Sequence, residues 1–203
     1  MVTTQCAKCQ LNGGNQGKEN AEEDRVTSSF PHPPLSAIDR SALMNDDLVI
    51  EQATLEDLPQ MVDLLHDLFS HEGDFLPNRA KQMRGLRLIL EQPNRGRIFV
   101  LRKDGMILGM INLLFTISTA EGGFVILLED LVVHRDFRGK GFGDKLLKHA
   151  IEYARKKDFL RITLLTDRLN EQGQEFFETH GFFKSKMIPM RYVFSTNDPA
   201  NNG

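Results

Sequence analysis

The sequence predicts an α+β fold: one mixed sheet in which an antiparallel meander is followed by a parallel β-α-β unit, with helices on both faces. Three observations carry that expectation. Three apolar runs, over 97–102, 106–116 and 124–133, are joined through Lys103-Asp104-Gly105 and through a short segment that turns at Glu121-Gly122-Gly123, as hairpins are. An amphipathic stretch over 141–157 then separates the last of these runs from a β-rich run over 160–166, and a strand–helix–strand unit of that length makes a parallel pair. Helical periodicity also precedes the meander, so helices are available for the sheet's other face.

Taken in order, 48–53 reads as a first strand. Thr54 caps the helix after it, with Asp57 at the third helical position as a capping-box variant. Leu58, Met61, Val62, Leu65, Leu68 and Phe69 recur at helical spacing, and the helix ends near His71-Glu72-Gly73. A second helix spans about 78–91, with Met83, Leu86 and Leu90 inward and Pro93 as its stop. After the meander, Leu146, Leu147, Ala150, Ile151 and Ala154 share one face of the helix over 141–157. A short helix over 170–180 stops at Gly181, and a strand or hairpin over 182–194 closes the domain, its Met187, Ile188, Met190 and Val193 serving either the core or a homodimer contact.

Composition sets the boundaries. Residues 1–45 hold few apolar residues, no period, and Gly- and Pro-rich runs, so they are read as a disordered N-terminal tail; 46–194 form the domain and 195–203 a polar C-terminal tail. A chain of 203 residues fits one domain of about 150 plus tails. With 25 Lys and Arg against 28 Asp and Glu, the net charge of −3 lacks the basic surplus of a nucleic-acid binder. No apolar run approaches the roughly 20 residues that span a bilayer, and the N-terminus has no secretory pattern, so a cytoplasmic location with no membrane partner is the expectation. Cys6 and Cys9, the two cysteines, could supply half a tetrahedral zinc site, but no second pair exists; His66 and His71, five apart, share no helical face, and no metal is expected.

The chemistry lies in 128–143, Leu-Glu-Asp-Leu-Val-Val-His-Arg-Asp-Phe-Arg-Gly-Lys-Gly-Phe-Gly. An apolar strand enters a glycine-rich loop that opens directly into a helix. Glycines let the backbone turn tightly, and the first helical amides and dipole suit a phosphate or pyrophosphate, with Arg138 and Lys140 adding charge. The spacing matches neither a P-loop nor a dinucleotide fingerprint, since Gly139, Gly141 and Gly143 fall at every second residue.

Arg138-x-x-Gly141-x-Gly143, after Glu129-Asp130-Leu131-Val132-Val133, resembles the acetyl-CoA-binding motif of the GNAT acetyltransferase superfamily. The Leu-Glu-Asp-Leu-x-Val strand is similar to that of diamine acetyltransferases, and Asn170 with 176–182 resembles the family's last helix. The resemblance covers about 48–194. It implies acetyl-CoA as co-substrate, its pyrophosphate on the loop amides of Arg138, Gly139, Lys140, Gly141, Phe142 and Gly143. The pantetheine arm would lie along Leu131, Val132 and Val133, with Asn170 touching it. Direct transfer to the primary amine of a small molecule would follow.

That transfer needs a proton acceptor, for which the resemblance favours Glu129, and an oxyanion donor, for which a backbone amide near Leu131 would serve. Adjacent residues on a regular strand point to opposite faces, so Glu129 and Asp130 would be separated. Phe177 stands where relatives often carry a general-acid Tyr; Tyr192 is the remaining candidate, and Tyr153 faces away. Asp63 and Asp67, one helical face, are expected to be solvated. Two other readings stay open: a non-catalytic CoA-binding sensor or partner-binding module, and an enzyme acting on a protein N-terminus or lysine.

Overall fold

The computed structural model describes residues 48–69, 78–192 and 194. The tail with Cys6 and Cys9, the loop at 71–75, Val193 and the polar end at 195–203 lie outside them. Among the described residues, nine strands and α-helices follow in order: β1 Val49–Gln52, α1 Leu58–Phe69, α2 Arg79–Leu90, β2 Gly96–Lys103, β3 Met106–Ser118, β4 Gly123–Val133, α3 Phe142–Lys156, β5 Ile162–Leu164 and α4 Glu171–Thr179. The strands form one sheet in the order β1-β2-β3-β4-β5. The first three pairings are antiparallel and β4–β5 is parallel.

The segments that open α1, α2 and α4 begin where a side chain accepts from an orphan amide, whereas α3 begins at Gly141 with no side-chain cap. Asp57 accepts from the Thr54 amide at 2.8 Å, half of a capping box, and a short 3-10 turn, Leu55–Asp57, leads into α1. Asn78 caps α2 by accepting from the Lys81 amide at 2.9 Å. The sheet is covered on both faces. Leu58, Met61, Val62, Leu65 and Leu68 of α1 and Leu86 of α2 pack with Ile98, Val100, Met110 and Val132. On the other face Phe142, Leu146, Leu147, Ala150 and Ala154 of α3 and Phe177 of α4 pack with Leu101, Leu108, Ile111, Leu113, Leu128 and Leu131. The periodicities of α1 and α3 are thus realised as two core layers divided by the sheet.

Two local expectations are corrected. The strand over 160–166 shrinks to three residues, because β5 pairs with β4 only at Ile126, Leu127 and Leu128 before the strands part. The described part of 182–194 forms no strand: Met187, Ile188 and Met190 are 84%, 83% and 94% exposed and join no core. Pro189 interrupts that apolar run, removing a ladder donor and confining any pairing to an edge. On α2, Met83, Leu86 and Leu90 pack inward as expected, and the same face also buries a polar side chain, Gln82.

One pH dependence follows from the aromatic end of the sheet. His149 of α3 stands edge-on to Phe99 at 4.6 Å, and burial lowers its imidazole below the ordinary value of 6.5, partly offset by Glu152. The unfolded chain therefore binds more protons than the folded one. This group's contribution is fully present above pH 6.5 and is lost as pH falls through the lower folded value. Thermal melts of His149→Phe against wild type should show a smaller loss of stability between pH 7 and 5. Parallel curves would show that His149 titrates normally.

Candidate active site

The site is built where β4 loses its second neighbour. Between Ile111↔Leu131 and Leu113↔Leu128 the β3–β4 register shifts, so two residues of β4, Glu129 and Asp130, oppose one residue of β3, Asn112. This is a β-bulge. It corrects the expectation of simple alternation: Leu128 and Leu131, three apart, lie in the same core layer. A bulge bends its strand, and β4 has no β5 partner beyond Leu128. The backbone of Leu131, Val132 and Val133 pairs with β3 on one side and is open on the other.

That open edge runs into the glycine loop. After Val133 the chain makes a 3-10 turn, Arg135–Phe137, and then reaches Gly139 at φ 74° and Gly141 at φ 77°. Both conformations are left-handed, which glycine adopts without a Cβ penalty. Gly141 is the N-cap of α3, and a Cβ built on it would meet nothing within 4 Å. The first amides of α3 thus open into a cleft of about 310 Å³. Leu131 and Val133 form one wall, the loop from Arg138 to Gly143 the floor, and Phe176, Thr179 and His180 of the α4 end the other wall.

The cations beside the loop divide their work. Arg138 donates from Nε to the Val133 carbonyl at 3.1 Å and from Nη2 to Asp67 Oδ2 at 2.9 Å. Its guanidinium therefore clamps the loop to β4 and α1. Asp67 is correspondingly held in this ion pair rather than solvated, while Asp63 pairs at the surface with Arg79. Lys140 is exposed, with Nζ 5.2 Å from the centre of the Phe137 ring that lines the cleft, so its charge is available at the rim.

Asp144 and His180 went unremarked in the sequence. His180 Nε2 lies 2.8 Å from Asp144 Oδ1, and its Nδ1 lies 2.8 Å from the Phe176 carbonyl, which can only accept. The ring ties the end of α4 to the start of α3 across the cleft. Burial would raise the Asp144 carboxyl, but hydrogen bonds from Lys148 and His180 outweigh it and hold it below the ordinary range. These residues are far apart in sequence, and no spacing links them.

The remaining candidates are placed as follows. Asn170 accepts from the Gly173 amide at 2.9 Å and is the N-cap of α4. Glu129 and Asp130 are both 4% exposed. Asp130 lines a second cleft, beside α1 and α2, together with Gln82 and Asn112. Burial pushes the Asp130 carboxyl above the ordinary carboxylate range, partly offset by the Asn112 amide that donates to it at 3.1 Å. Phe177 is 3% exposed in the core, and Tyr192 is 75% exposed with its ring against Phe194. Tyr192 belongs to neither cleft.

Known proteins resemble this chain in sequence and in fold. The chain is 36% identical over 76 residues to streptothricin acetyltransferase A of Bacillus subtilis, covering 37% of this chain and 42% of that protein. It is 26% identical over 140 residues to an uncharacterized N-acetyltransferase of Methanocaldococcus jannaschii, covering 68% and 62%. The chain thus spans less than two thirds of the length of these two relatives. Among solved structures, a possible acetyltransferase from Clostridium difficile superposes with a TM-score of 0.67 at 15% identity, over 73% of this chain and 98% of that one, a likeness of fold. The model of the acetyltransferase (GNAT) family matches residues 58–182, a span that begins with α1 and takes in the bulged strand, the left-handed glycines and α4. With well over half of its length matched, this chain belongs to the GNAT acetyltransferase family.

Proposed function

We propose that the chain transfers an acetyl group from acetyl-CoA to the primary amine of a small molecule by direct attack. The observation that carries this reading is the continuity of an unpaired strand edge, at Leu131–Val133, with two left-handed glycines at a helix N-terminus. The amides from Arg138 to Gly143 suit the pyrophosphate, with Lys140 adding charge at the rim. An extended arm can add to the β4 edge through main-chain hydrogen bonds. Arg138 positions the loop, and Asn170, the N-cap of α4, is the residue that the resemblance puts next to the arm. When bound, acetyl-CoA supplies the thioester.

The chain's own contribution to the chemistry is a dry site and a proton acceptor. Glu129, buried in the bulge next to the open edge, is the carboxylate assigned to take the amine proton. A relative named for acetylating streptothricin supports an amine-bearing small molecule as acceptor. A panel of primary amines with acetyl-CoA, read by thiol release and product mass, tests the reading. Glu129→Gln should lower kcat by about a hundredfold, with acetyl-CoA binding retained. Binding without thiol release from any amine would favour a CoA-binding module instead, a reading consistent with Phe177, which cannot donate a proton.

A further inference from the structure

One wall of the cleft beside the glycine loop has few anchors. α4 is 9 residues long and buries a single hydrophobic side chain, Phe177. Asn170 and Gln174 bond only to backbone in or just before the helix. Among the described residues, one side-chain hydrogen bond joins α4 and its caps to another helix or strand, and it is the contact of His180 Nε2 with Asp144 Oδ1 at 2.8 Å. Both partners of that bond are held from behind. The Phe176 carbonyl, 2.8 Å from His180 Nδ1, can only accept, so Nδ1 carries a hydrogen and α4 itself sets the plane of the ring. Lys148 Nζ lies 2.9 Å from Asp144 Oδ2 and orients the carboxylate, which leaves Oδ1 for His180. The His180 side chain is 10% exposed, so water competes little for the bond.

We infer that Asp144 and His180 are positioning residues for the cofactor: their hydrogen bond sets α4 against α3 and so fixes the wall that faces the open edge of β4. Phe176, Thr179 and His180 make that wall, opposite Leu131 and Val133. An extended arm that pairs with the β4 edge passes between the two. With the bond made, the wall stands in place before the ligand arrives, and the ligand does not have to order it. With the bond broken, α4 rests chiefly on Phe177, and ordering the wall lowers the ligand's affinity. The sign of the effect separates this role from simple electrostatics. Asp144 is in the first turn of α3 and lines the cleft, so on charge alone its removal would tighten a ligand that bears phosphates. Loss of the positioning bond weakens the same ligand instead. The inference rests on the reading of this cleft as the acetyl-CoA site.

The test compares wild type with Asp144→Ala, His180→Leu, His180→Gln and the double variant Asp144→Ala/His180→Leu. Calorimetry with acetyl-CoA should show binding weakened by about tenfold in Asp144→Ala and in His180→Leu. The double variant should bind no more weakly than the weaker single one, because both substitutions remove the same bond. His180→Gln, whose carboxamide keeps a donor near the Nε2 position, should fall between His180→Leu and wild type. In hydrogen exchange on the free proteins, amides of 171–180 should lose protection in Asp144→Ala and His180→Leu while those of α3 and β4 keep it.

Unchanged or tighter acetyl-CoA binding by Asp144→Ala overturns the inference. Additive losses in the double variant overturn it too, since each side chain would then act on the ligand by itself. Loss of protection that spreads to α3 and β4 marks a general structural role and does the same. A wild-type protein that does not bind acetyl-CoA overturns the reading of the cleft and the positioning role with it, whereas wild-type binding that all the variants share overturns the positioning role alone.

Discussion

Gly141→Glu should abolish stabilisation by acetyl-CoA while leaving the fold in place. Gly141 sits at φ 77° as the N-cap of α3, with open space where its side chain would project. A glutamate there would put a negative charge and three carbons into the cleft, against a ligand bearing phosphates. Like-charge juxtaposition costs several kcal/mol, so affinity should fall by about a hundredfold or more. Backbone strain at a left-handed residue adds about 1–2 kcal/mol to the folded state, a modest fraction of a typical domain's stability. Gly141→Ala separates the two effects: it carries the strain without the charge, and should lose a few degrees of melting temperature yet keep most of its acetyl-CoA response. A thermal shift series with acetyl-CoA reads both. Wild-type stabilisation of Gly141→Glu would place the pyrophosphate elsewhere.

The largest effect on stability is expected at Leu146. Its side chain is fully buried between α3 and the sheet, and its Cδ1 lies 3.1 Å from where a Cβ on Gly109 would stand, so helix and strand are in close contact there. Truncation to Ala removes three carbons and leaves a cavity that the two elements cannot close without moving. Such changes cost about 2–5 kcal/mol. For a folded unit of this size, Leu146→Ala should therefore lower the melting temperature by about 4–20 °C. Because α3 carries the loop at its N-terminus, the acetyl-CoA response should weaken in parallel. Leu146→Met, which conserves volume, should cost less than about 1.5 kcal/mol and keep the response. A loss for Met as large as that for Ala would mean that shape, not volume, governs this contact.

Much of the frame was legible because it depends on local rules. The meander follows from runs of strand length broken by Asp104-Gly105 and Gly122-Gly123, and Asp104, Gly105 and Gly122 all adopt positive φ. The faces of α1 and α3 follow from a 3.6-residue period, and every residue assigned to the α1 face is buried. The glycine loop was legible because left-handed backbone at a helix start is written in residue type.

The site's side chains were less legible, since their partners are distant in sequence. Nothing near Arg138 shows that its guanidinium will be claimed by Asp67, 71 positions earlier. The bulge is invisible to a period-2 reading, because it is a mismatch between two strands rather than a feature of either. It decides which carboxylate enters the second cleft. Gln82 looks like a solvated helix residue until α2 is docked on the sheet, where it becomes 9% exposed beside Asn112 and Asp130.

The sequence by itself determined the order of elements, the two buried helix faces, the phosphate-suited loop and the family, all of which rest on contacts or conformations local to a few residues. Only the tertiary structure decided that β4 and β5 part after Leu128, that Arg138 is a clamp, and that Asp130, Asn112 and Gln82 converge without partners. These depend on register and docking between segments tens of residues apart, and that geometry is set by the packing of the whole core rather than by any stretch of chain.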